Sequence, residues 1–270
     1  MTIDPYLIQR AAADFPQGGA PLLTTARLGL QARSAAHAAF VAAQQHLRNL
    51  TAVRASHPAD VAPELHNELR QSLSQHLSER LAQQFDNPLN GYVRAAERAH
   101  EQAAAEADKH RPKYDPESTA QSIRTDQAWN NHIRPMLEAG KEWADIIPTL
   151  DQDGLLAVER FAPGYEARIR DRHHQHEVPA ALKAIRDASE RHLPNVVSEA
   201  GRVALREAQD TANALQYVRD VAGWLKDATA LNAASVSIGL KRGAHEVGAH
   251  RPVDTSPDAQ SEYGAALATA

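Results

Sequence analysis

The chain has 270 residues, enough for one large or two modest domains with cores of their own. It contains no cysteine, which excludes disulfides, thiolate nucleophiles and the cysteine-based zinc and iron–sulfur frameworks. Its formal charge of −5, with no dense Lys/Arg run, argues against a protein devoted to nucleic acid, because phosphate neutralisation needs a clustered basic surface.

Apolar residues make up 43% of the chain but aromatics only 5%, so alanine supplies much of the apolar count. Burial is worth roughly 25 cal/mol per Å² and alanine offers little area, so stability is expected from long helices with many small contacts, or from assembly. No run approaches the roughly 20 apolar residues of a membrane span, and MTIDPYLIQR lacks the order of a signal peptide. A cytoplasmic protein is expected, or a virion-associated one if phage-encoded. The fourteen histidines, if all protonated, would carry the formal charge from −5 to +9.

In chain order, Asp4-Pro5 opens a short helix to near Phe15, and PQGGAP then breaks the chain, which predicts a flexible N-terminal arm. From about Thr24 to Ser56 a proline-free stretch keeps helical spacing through Leu28, Ala32, Ala35, Ala39, Ala42, His46, Leu50 and Val53. Phe40, Val41 and Leu47 widen that small-residue face. Next, Val61, Leu65, Leu69, Leu73, Leu77, Leu81 and Phe85 recur every fourth residue. Four residues turn through about 400°, so the stripe winds round the helix and suits a neighbour crossing at a large angle, not a heptad zipper. Leu65 to Phe85 is also the candidate partner interface.

Asn87-Pro88 restarts a helix through GYVRAAERAHEQAAAEADKH, whose alanines and paired charges predict a surface element with little to bury. RPKYDP, Arg111 to Pro116, reads as a hinge. Beyond it Ile123, Trp129, Ile133, Met136, Leu137, Trp143, Ile146 and Ile147 form the densest bulky cluster, on short helices broken by Pro135, Gly140 and Pro148. Asp151 or Asp153 caps the next helix, and Pro163-Gly164 is expected to turn it into another.

From Pro194 to Leu240 two apolar rows run along a long helix, one through Thr211, Leu215, Val218 and Leu225, the other through Tyr217, Val221, Trp224, Ala228 and Ile238. A break is expected near Gly223 or Asn232. Past Gly239 the sequence is small, polar and proline-punctuated, the composition of a flexible tail, though its last residues, EYGAALATA, suit a short docking helix.

Several stretches invite a chemical reading. HEVGAH at 245 to 250 resembles a zinc-protease HExxH, but its histidines are five apart, about 140° round a helix. Glu97 and His100 form a single ExxH where a di-iron bundle needs two. DQDG begins like a calcium loop, but Ala162 stands where the bidentate glutamate belongs. DRHHQHE is the strongest candidate. On a helix continued from Tyr165, His173, His176 and Glu177 would share one face as ligands for zinc or another divalent ion. Arg168, Arg170 and Arg172 crowd that face, and protonated histidines at a helix C-terminus have a reason of their own to be there.

These features predict an all-α fold of long helices packed as an extended multi-helix bundle, with a flexible N-terminal arm and C-terminal tail. The expected division is 1–112, 113–240 and 241–270. The function expected is that of a non-enzymatic structural, assembly or adaptor protein without cofactor, acting through protein partners or self-association, with a phage virion or scaffolding role as its particular form. The alternatives are a metal-dependent hydrolase or metal-binding protein at His173, His176 and Glu177, and a nucleic-acid-binding regulator.

Overall fold

A computed structural model of the chain describes residues 27–55, 89–170, 174–228, 232–254 and 256–269; among these the regular structure is helical, without a strand. The expected N-terminal arm and the whole winding stripe, Leu65, Leu69, Leu73, Leu77, Leu81 and Phe85 included, lie outside the described residues. The helices are α1 (Leu28–Ala55), α2 (residues 89–110), α3 (Thr119–Ala128), α4 (Arg134–Glu138), α5 (Trp143–Ile146), α6 (Gln152–Ile169), α7 (Val178–Val196), α8 (Glu199–Lys226), α9 (Ala233–Glu246) and α10 (Pro257–Thr269). Among the described residues no helix is long and apolar enough to cross a membrane. The chain divides into two compact units, one formed by residues up to Ala105 with Glu207–Thr269, the other by Glu106–Arg206.

The first unit is built on alanine. Ala32, Ala35, Ala36, Ala39, Ala42 and Ala43 of α1 are buried in one core with alanine, leucine, valine and tyrosine residues of neighbouring helices, and α9 packs along α1. Side chains this short let helix axes approach to the near end of the usual 8–10 Å range, so many weak contacts replace a few bulky ones. The alanine-rich α2 is not the surface element its composition predicts. Leu89, Tyr92, Ala95, Ala96 and Ala99 are all in this core, which they share with the alanines of α1 and with larger residues of α8 such as Leu215, Tyr217, Val218 and Val221.

Within the stretch expected to be a tail, α10 is held by a specific network. The Tyr263 hydroxyl donates to Asp210 Oδ2 at 2.8 Å, Arg33 Nη2 pairs with the same oxygen at 2.6 Å, and the Arg33 guanidinium lies 4.9 Å from the Tyr263 ring centre. Gly29, in the first turn of α1, leaves room for that ring; a Cβ there would lie 1.8 Å from the Tyr263 hydroxyl oxygen. EYGAALATA is thus the body of a helix that starts earlier, at Pro257.

The second unit holds the bulky cluster. Trp129, Ile133, Ile146 and Ile147 are buried with Leu155, Val158 and Ile185, whereas Ile123 is 51% exposed. The Trp129 ring lies tilted against Phe161 at 5.2 Å and meets Tyr165 edge-on at 5.8 Å, an arrangement that suits the ring quadrupoles. Two prolines expected to end helices do not. Before Pro135, residues Trp129–Ile133 widen into a π turn in which the Arg134 amide donates to the Trp129 carbonyl, and the helix continues as α4. Pro163 lies inside α6, which runs on to Ile169. The Asp151 cap is as expected, its Oδ1 accepting from the Gly154 amide at 2.8 Å. The break expected near Asn232 falls between α8 and α9, with Asn232 at the N-cap position.

Candidate functional site

The DRHHQHE segment follows the end of α6. The helix that would align its ligands stops at Ile169, and the Gln175 side chain folds back, donating from Nε2 to the Ala167 and Arg170 carbonyls at 3.0 and 2.7 Å. His176 and Glu177 lie on a 3₁₀ turn, Gln175–Glu177, and His173 lies outside the described residues. The Glu177 carboxylate already has partners, Arg170 through Oε2 and His174 through Oε1, the latter at 2.9 Å. The His174 hydrogen bond, with the neighbouring positive charges, holds the Glu177 carboxyl below the usual carboxylate range. Arg170 also pairs with Glu166, whose buried carboxylate accepts from Trp143 Nε1 at 2.8 Å. Glu177 therefore ends an ionic chain rooted in the core of the second unit, and a cation bound there would displace Arg170.

The other motifs have similar structural partners. Glu97 takes Arg219 at 2.9 Å, and His100 Nδ1 lies 3.2 Å from the Thr211 hydroxyl, so the ExxH faces α8. In DQDG, Asp151 caps α6 and Asp153 pairs with Arg124 at 2.8 Å. HEVGAH departs from a helical layout. Gly248, at φ +70°, reverses the chain after α9, and the Ala249 amide closes onto the Ala244 carbonyl at 2.7 Å. That turn stacks the His245 and His250 rings 4.0 Å apart, and His37 Nδ1 donates to the Ala249 carbonyl at 2.8 Å. Among the described residues no group of three His, Asp or Glu side chains is arranged to hold a metal ion.

Two concave features lie apart from the histidine and carboxylate motifs. In the first unit, α1 and α9 leave a groove of about 430 Å³ between Gln44, Leu47, Arg48 and Thr51 on one wall and Ala234, Ser237 and Lys241 on the other. Val41, expected to widen the buried face of α1, is 47% exposed, and Ile238, expected in a buried row, is 71% exposed. At about 100° per residue Val41 lies about 60° from Gln44 and Ile238 about 100° from Ser237, and neither is among the residues that line the groove. Among the described residues neither Arg48 nor Lys241 has an ion-pair partner.

In the second unit, α6 and α7 enclose a cavity of about 440 Å³, bordered by the Asp108–Lys113 segment. Its floor is apolar, with Leu155, Val158, Ala162, Ile185 and Leu193 all buried. At its edge Arg111 grips Glu190 through both guanidinium nitrogens at 2.6 and 2.7 Å, and that hydrogen bonding raises the Arg111 pKa. Lys113 pairs with Asp108 at 2.6 Å. Ser189 also lines the cavity, and its Oγ is shielded from solvent without a hydrogen-bond partner. Each wall carries a helix-interior proline, Pro163 in α6 and Pro194 in α7. Neither has an amide to close onto the carbonyl four residues back, which belongs to the cavity residues Glu159 and Glu190.

Compared with protein-family models, characterised proteins and solved structures, the chain has no match.

Proposed function

We propose that the chain is a non-catalytic helical assembly or adaptor protein whose partner is a further copy of itself, with a phage virion or scaffold as the setting that such a protein serves. The observation that carries this reading is the groove between α1 and α9, where Arg48 and Lys241 line opposite walls without an ion-pair partner among the described residues. Val41 on α1 and Ile238 on α9 are exposed, so each of the two helices that form the groove also offers an aliphatic side chain for a partner to cover.

The charge of the chain selects the partner. Acidic residues outnumber basic ones, 34 to 29, so a second copy offers the carboxylates that Arg48 and Lys241 lack. A groove on one copy meeting a different surface on the next is a heterologous contact. Such contacts close into rings or extend into filaments, the two forms that assembly proteins need.

The test is sedimentation velocity of the full chain over a wide concentration range, beside a Val41→Asp/Ile238→Asp double variant. The expected result is a concentration-dependent series of larger species in the native chain, lost in the variant while its helical circular dichroism is retained. A native chain that sediments as a monomer throughout contradicts the reading. So does a variant that associates as strongly as the native chain.

A further inference from the structure

We propose that the cavity between α6 and α7 binds a small zwitterion with an apolar body, of the class of an apolar α-amino acid. Its volume of about 440 Å³ falls within the range of small-molecule pockets, roughly 300–1,000 Å³, and it combines an apolar floor with a few polar groups, as such pockets do. The polar groups give the class of ligand.

Of the six charged side chains that line the cavity, four are committed to each other: Arg111 to Glu190 and Lys113 to Asp108. The remaining two are Glu159 on α6 and Arg186 on α7, of opposite sign and on opposite walls; neither is within ion-pair distance of a described residue, although Glu159 attracts Arg111 and Arg186 attracts Asp187 through space. A ligand carrying one positive and one negative group satisfies both walls; a simple anion or cation satisfies one and is repelled at the other.

Each wall has a second polar group of the matching kind. Ser189 lies three residues after Arg186 on the same face of α7, and its unpartnered hydroxyl gains an acceptor when a carboxylate sits on Arg186 and the side chain steps to a neighbouring rotamer. On the α6 wall the Glu159 carboxylate is joined by its own backbone carbonyl, which Pro163 leaves without its helical donor, so an ammonium group finds two acceptors at one residue. Between these ends the body of the ligand lies over Leu155, Val158, Ala162 and Ile185, which favour an aliphatic or aromatic side chain.

The experiment is titration calorimetry of the full chain with leucine, isoleucine and phenylalanine, beside glycine, N-acetyl-leucine and leucine amide. Saturable binding of at least one apolar amino acid is expected, with glycine and both blocked leucines weaker by about tenfold or more, since each lacks one of the interactions. Glu159→Gln and Arg186→Gln, both exposed and outside the core, should each weaken the preferred amino acid by a similar factor. Amide chemical-shift changes should centre on residues 155–163 and 185–190. No saturable binding by any of the three amino acids overturns the proposal. Binding of N-acetyl-leucine or leucine amide equal to that of leucine, or shift changes centred elsewhere, overturns it too.

Discussion

His46 sits in the core of the first unit at 1% exposure, and burial lowers its pKa to about 4. The unfolded chain protonates this imidazole near pH 6.5, so the folded state loses stability as the pH falls from there toward 4 and loses nothing above it. The expected loss is at most about 3 kcal/mol, read as a falling urea midpoint across that range. His46→Leu should flatten the profile, and an unchanged acid slope in that variant would show that the sensitivity arises elsewhere. Gly29 is a second residue whose role is steric. Gly29→Ala drives a methyl group into Tyr263, so amide exchange in α10 should rise well above that in α9. The sequence shows His46 at a buried helical spacing, but nothing local to Gly29 announces a tyrosine arriving from 234 positions away. Glu177 is similar: its residue type suggested a ligand, and only the fold reveals that Arg170 and His174 already occupy it.

At the level of helices, α1 and α8 were legible because apolar spacing persists over many turns, and the start of α6 because Asp151 caps it. Proline alone does not mark a helix end in this chain. Pro135 and Pro163 look like helix ends, yet a π turn absorbs the first and tertiary packing tolerates the second, and neither compensation is written in the neighbouring residues. The same limit applies to burial. Val41 and Ile238 fit apolar rows, but a row is wider than the contact it makes, and which edge stays in solvent depends on the neighbouring helix. An interior proline costs a helix about 3 kcal/mol, so Pro163→Ala should stabilise the chain by about 1–3 kcal/mol in urea or thermal unfolding. The same substitution restores a donor to the Glu159 carbonyl and should weaken amino-acid binding. A destabilised Pro163→Ala would mean that α6 is shaped around the proline.

For the chain as a whole, composition predicted the manner of packing: little bulk, much alanine, and a core spread along helices. The crossing between units at 206 and 207 falls inside α8, where no glycine or proline marks it, so its place had no local signal. The histidine load gives assembly a pH dependence, because protonation of the thirteen histidines other than the buried His46 moves the formal charge from −5 toward +8 and removes the net acidity that complements Arg48 and Lys241. Association should therefore weaken between about pH 7.5 and 5.5, as light scattering would record. Self-association through unlike surfaces is the central claim, and the mass distribution of the native chain tests it most directly. Multi-angle light scattering over rising concentration at neutral pH and low salt should show masses passing beyond a dimer, and shrinking as salt screens the charged contacts. A mass fixed at that of one chain, 29.4 kDa, at every concentration would contradict the claim.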